Sequence, residues 1–127
     1  MTALDMEKQW AVDFHGEFLP EFRQFSEAVR RQTHSLIKML KTFGLQLGRP
    51  QVDTLKGSKH ASMKELRFDA DGVWRVVFAF DLKRNASLLV GTDKSGVSQD
   101  KFYRNLIEVA DRGSDRHQRA IAREKKK

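Results

Sequence analysis

The sequence has no cysteine, which excludes a disulfide framework, a thiolate metal site and a cysteine nucleophile. It has no run near the roughly 20 apolar residues that a membrane span needs. Its first residues, MTALDMEKQW, lack the apolar centre of a signal peptide. These absences lead to the expectation of a cytoplasmic protein with no membrane association. The histidines, His15, His34, His60 and His117, stand without ligand spacing, so no metal is expected. The stretch GTDKSG lacks the spacing of a nucleotide-phosphate loop, and no cofactor is expected. No internal repeat or low-complexity linker interrupts the chain.

What is present reads as one globular domain. Apolar residues make up 39% and charged residues 32% of 127 positions, enough for one modest core. The net charge of +7 is unevenly spread. Residues 1–47 hold six bases and six acids, so the excess lies beyond them; residues 112–127 alone hold seven bases and two acids. A basic surface favours a polyanion or an acidic protein partner. A terminal run such as REKKK is more often a solvated tail, and a basic tail is expected from about residue 116. The densest local signal is LKGSKHASMKELR: no acid stands between Asp53 and Glu65, while Lys56, Lys59, His60 and Lys64 all do.

The alternation of Trp10, Val12 and Phe14 predicts a short strand. Phe18, Phe22, Phe25 and Val29, then Leu36, Leu40 and Phe43, recur at helical spacing. They form one helix, or two if Ser26 caps the second. Gly44 and Gly48 stop the helical region. Three strands follow, MKELRFD, VWRVVFAFD and ASLLVGTD, with links short enough for an antiparallel meander. A helix over about 98–123 carries Phe102, Leu106 and Val109 on one side, and DRGSD can interrupt it because Gly113 costs about 1 kcal/mol in a helix interior. The fold class is α+β, in the order β-α-α-β-β-β-α, with a small, mostly antiparallel sheet and the helices packed on one face.

The link ADG has a functional consequence. A three-residue loop pairs Phe68 with Trp74 and Leu66 with Val76, places Trp74 in the core, and puts Arg67 opposite Arg75 on the other face. Paired arginines repel unless an acid or an anion lies between them. Glu65 is the available acid; a phosphate is the available anion.

The segments LGRPQVDTLKGSKHASMKELRF, GVWRVVFAFDLKRNASLLVGTDKSG and KFYRNLIEVADR resemble the phage-derived HigB-like branch of the RelE/ParE toxin superfamily, over about residues 14–117. The resemblance implies a single RelE/HigB-like domain over 1–127. It implies the toxin of a type II toxin–antitoxin pair, an mRNA endonuclease acting on the ribosome, with a helix-turn-helix HigA-like antitoxin as partner. The superfamily also holds ParE proteins that act on gyrase, so a non-enzymatic toxin, or a relic that only binds its antitoxin, are alternatives.

Metal-independent RNA cleavage uses the substrate's 2′-hydroxyl as nucleophile. The protein must remove that proton, stabilise the crowded phosphate and protonate the leaving 5′-oxygen. His60, Lys56, Lys59, Arg67 and Arg75 are the candidate catalytic residues. His60 has the most suitable intrinsic pKa, and the arginine forks match phosphate oxygens. Lys64, Lys94 and Tyr103 are candidate RNA-binding residues. The family's RelE-type members use lysines, arginines and a tyrosine in these roles, and its better-known HigB members use histidine.

Overall fold

The computed structural model describes residues 9–58, 60, 62–81 and 83–125, and for 117 and 120–125 the backbone only. Strand β1 (Ala11–Phe14) leads to a short helix α1 (Leu19–Arg23) and a long helix α2 (Glu27–Phe43). These are two helices because Ser26 caps the second, its Oγ accepting from the Val29 N–H at 3.3 Å. A single 3₁₀ turn (Gly44–Gln46) closes α2. Then come β2 (Val52–Thr54), β3 (Met63–Asp69), β4 (Val73–Phe80), β5 (Asn85–Asp93) and helix α3 (Gln99–Lys125).

The five strands form one sheet in the order β1-β5-β4-β3-β2. Strand β1 is parallel to β5, and the other neighbours are antiparallel. The β3–β4 hairpin has the expected register: Leu66 opposite Val76, Arg67 opposite Arg75, Phe68 opposite Trp74. Its loop needs Gly72, which has φ +130° and sits where a Cβ would lie 2.4 Å from Asp93 Oδ2. Asp93 in turn accepts from the Val73 and Ser95 backbone N–H groups, so the end of β5 is fixed against the start of β4.

The helices lie on both faces of the sheet, not one. Helices α1 and α2 cover one face through Phe18, Phe22, Leu36, Ile37 and Leu40 against Leu66, Val76, Phe78 and Leu88. Helix α3 covers the other through Phe102, Leu106 and Ala110 against Met63, Val77, Leu89 and Val90. The central strand reads VWRVVFAF, and Val76, Val77 and Phe78 are all fully buried. Such a run marks a strand covered on both sides. In β5 the register skips Leu89, and this bulge lets consecutive Leu89 and Val90 both meet α3.

Two further expectations are corrected. The segment VDT forms the edge strand β2, too short to show an alternation. Helix α3 passes through DRGSD without a break and stays helical to Lys125, past residue 116, where the sequence suggests a tail. Gly113 is buried against Leu89 there, and packing offsets its poor helix propensity.

Candidate functional site

Side chains alternate along a strand, so Glu65 and Arg67 of β3 share the α3 face of the sheet with Met63. Asp53 of β2 stands opposite Glu65, and Arg75 of β4 stands opposite Arg67. Tyr103 reaches this group because α3 turns Phe102, Leu106 and Ala110 into the core, and Tyr103 lies one helical step, about 100°, from Phe102. Together with Arg49, Thr54, Lys56, Lys94 and Gln99, the residues Asp53, Glu65, Arg67 and Tyr103 line a cleft of about 320 Å³. It opens between the β2 edge and the first turns of α3.

The floor is polar and buried. Glu65 is 2% exposed and Arg75 5%. The Tyr103 hydroxyl donates to Glu65 Oε1 at 3.0 Å, and Arg67 Nη1 lies 3.7 Å from the same oxygen. Arg67 Nη1 also donates to Asp53 Oδ2 at 3.1 Å, and Arg49 Nη1 approaches that oxygen at 3.8 Å. Arg75 Nη1 donates to the Trp74 carbonyl at 2.8 Å. Glu65 Oε2 and Arg75 Nε are buried without hydrogen-bond partners. An unpaired acceptor and an unpaired donor side by side in one floor are costly for stability alone, and such costs concentrate at functional sites.

Electrostatics separate the two carboxyls. Burial raises the Glu65 pKa above its ordinary value, and the Tyr103 hydrogen bond and the Arg67 and Arg75 charges offset this only in part. The Asp53 pKa is held below its ordinary value, first by the Thr54 backbone N–H at 2.8 Å and, against the effect of burial, by Arg49 and Arg67. Burial raises the Tyr103 pKa, and Arg75 opposes that shift. The two carboxyls of the cleft are thus shifted in opposite directions, Asp53 at its side downward and Glu65 at its floor upward. Lys56 and Lys94 have no ion-pair partner among the described residues and are available to an anion.

Of the residues singled out in the sequence, the fold brings together Lys56, Arg67, Arg75, Lys94 and Tyr103. It does not bring His60. The His60 Nε2 lies 2.9 Å from Asp115 Oδ1, its side chain is 18% exposed, and Ser58 Oγ donates to Asp111 at 2.5 Å beside it. Asp115 stands about 18 Å along the helix from Tyr103 at 1.5 Å per residue. Lys64 belongs to the opposite face of β3, in register with Thr54 and Phe78, because it is one residue out of phase with Glu65. Lys59 lies outside the described residues. Arg49 and Asp53 were not legible as site residues, since both reach the cleft through the three-residue edge strand. Glu65 carried a signal, being an acid two residues from Arg67 on the Arg67–Arg75 face.

Comparison with known proteins agrees with this architecture. The family model for "Phage derived protein Gp49-like (DUF891)" matches residues 20–115. HigB3 of Mycobacterium tuberculosis, a toxin by name, is 38% identical over 101 residues, covering 76% of this chain and 87% of that protein. HigB2 of the same organism, also a toxin by name, is 40% identical over 87 residues, covering 64% of this chain and 43% of that protein. Among solved structures, a mutant of E. coli toxin RelE in the free state superposes with TM-score 0.54 at 16% identity, over 68% of this chain and 85% of that one. RelE from the Pyrococcus horikoshii RelE–RelB complex superposes with TM-score 0.52 at 16% identity, over 70% and 99%. The fold is that of RelE, and the chain belongs to the phage-derived Gp49-like family and is HigB-like.

Proposed function

We propose that this protein is the toxin of a type II toxin–antitoxin pair and that it cleaves mRNA on the ribosome by attack of the 2′-hydroxyl on the adjacent phosphodiester. One observation supports the reading most: Lys56 and Lys94, which form no ion pair among the described residues, flank a cleft whose floor holds Arg67, Glu65 and Tyr103, with Arg75 beside Tyr103. The lysines and Arg67 hold the RNA backbone and stabilise charge on the pentacoordinate phosphate. Tyr103 contacts the 2′-oxygen and passes the proton to Glu65, whose raised pKa makes it a better acceptor than an ordinary carboxylate. A lysine ammonium at the rim protonates the leaving 5′-oxygen. The nucleophile belongs to the substrate, so the cleft needs no serine or cysteine. An antitoxin is the proposed protein partner, supported by the RelE–RelB complex among the similar structures and by the names of the relatives.

The test is to map RNA 5′ ends after induced expression, and again with purified protein, ribosomes and mRNA. The parent protein is expected to produce new ends. Tyr103→Phe is expected to reduce their rate of formation by about 10²-fold or more, with the fold retained. Growth arrest with intact transcripts would replace the nuclease reading with occupation of a target such as gyrase. Harmless expression without antitoxin would leave a protein that only binds its antitoxin.

A further inference from the structure

The α3 face holds a second concavity, at the other end of the helix. It measures about 440 Å³ and lies between the later turns of α3 and the ends of β1, β4 and β5. It shares no lining residue with the cleft. Asp13 of β1, Ser87 of β5 and Ala79 of β4 stand in one row across the sheet. Asp81 and Asn85 stand at the β4–β5 turn, and Ser114 and Gln118 close the space from α3.

Two features separate this concavity from a packing gap. Ser87 is 4% exposed, it lines the space, and its buried Oγ has no hydrogen-bond partner. The lining is also acidic in a chain of net charge +7: among the described residues it holds Asp13 and Asp81 and no lysine or arginine. The Asp81 carboxylate already accepts from the Lys83 and Asn85 backbone N–H groups and the Asn85 amide, which fixes its position. Asp13 is exposed at the rim. Ala79 gives the wall an apolar patch, while the Phe80 ring turns to the other face of the sheet against Trp10.

We infer that this concavity binds a guanidinium carried on an alkyl stem. Its planar fork offers five N–H donors to the convergent acceptors of Asp13, Asp81, Ser87 and the side-chain amides. The stem lies on Ala79. A guanidinium is also more weakly hydrated than an ammonium, which favours it in a half-enclosed site. The group comes either from an arginine of a protein partner or from a free small guanidine such as the amino acid.

Titrations of the full chain, followed by backbone amide NMR shifts, test the inference. The probes are N-acetyl-arginine amide, free L-arginine, and N-acetyl-citrulline amide, a neutral isostere. Saturable shifts around Ala79, Asn85 and Ser87 are expected with the arginine probes, and binding weaker by roughly tenfold or more with citrulline. Asp13→Asn, at an exposed position, is expected to weaken the arginine probes by a similar factor with an unchanged spectrum elsewhere. Tighter binding of the capped arginine identifies a partner's side chain as the source; tighter binding of the free amino acid identifies a small ligand. Equal binding of arginine and citrulline, absence of saturable shifts, or indifference to Asp13→Asn would overturn the site. None of these outcomes depends on RNA cleavage.

Discussion

The two faces of the central sheet are built on different principles. The face under α1 and α2 is aromatic: Phe22 lies 4.6 Å from Phe14, 6.1 Å from Phe18 and 6.0 Å from Phe25 between ring centroids, and Phe25 lies 4.7 Å from Trp74. The face under α3 has an apolar middle, from Phe102 to Ala110, with polar groups buried at both ends. Among the described residues, the buried charges Glu65 and Arg75 both lie there, as do buried Ser87 and Ser114. Trp74 Nε1 on the aromatic side also lacks a partner, but Trp74 is only half-buried. The α1–α2 face is thus packed for stability, and the α3 face gives up some stability to bury polar groups at both ends. Sites built on packed strands and helices are also held more firmly than sites on loops.

The comparison breaks most visibly at Phe22, which is 4% exposed. Phe22→Ala is expected to cost about 3–5 kcal/mol of folding stability, a large share of the roughly 5–15 kcal/mol typical of a domain. Cleavage per folded molecule should stay near the parent's. Urea unfolding gives the first quantity, and RNA-end mapping normalised to folded protein gives the second. If the rate per folded molecule collapsed as well, the two faces would not be separable in this way.

How much of this division the sequence shows depends on the range over which the residues act. The ADG loop set the Arg67–Arg75 register locally, and that register places Arg67 in the cleft with Arg75 opposite it. The helical phase of Phe102 and Leu106 was equally local, and it turns Tyr103 toward Glu65. The second covered face was harder to see, because Val76, Val77 and Phe78 are apolar on both sides and carry no alternation. His60 was misleading for a different reason. Its intrinsic pKa suits proton transfer at neutral pH, but what decides its place is Asp115, a partner 55 residues away. Charge-pair partners at that separation leave no local pattern. The same holds for Arg49 and Asp53, whose relevance depends on the pairing of an edge strand.

A smaller, pH-dependent effect sharpens the contrast at Glu65. Its pKa is raised in the fold by burial, so the native state retains a proton that the unfolded chain has already lost. Stability from this group is fully present below the unfolded glutamate pKa and is lost as pH rises through the folded value. Asp53, Asp81 and Asp93 have lowered pKa values, so their contribution runs the other way and is lost as pH falls. Comparing the parent with Glu65→Gln at each pH cancels the aspartates. The variant should match the parent near pH 4 and be the more stable protein near pH 8, with slower RNA cleavage. A parent more stable than the variant at pH 8 would mean that the Arg67 and Arg75 charges outweigh burial, so that Glu65 has no raised pKa and is no better a proton acceptor than an ordinary carboxylate.

The smallest effect concerns the helix that joins the two polar ends. Gly113 is buried in α3, and a Cβ placed there would meet Leu89 at 3.6 Å, an ordinary van der Waals distance. Its backbone is helical, so alanine fits without strain. Gly113→Ala is expected to raise stability by about 0.5–1 kcal/mol, through helix propensity and a less flexible unfolded chain. That corresponds to a few degrees in a thermal melt for a domain of this size. The cleft lies at the first turns of α3, away from this position, so the cleavage rate should not change. A stabilised protein with a slower rate would show instead that α3 must flex at Gly113 during turnover, and the glycine would then belong with the groups for which this face gives up stability.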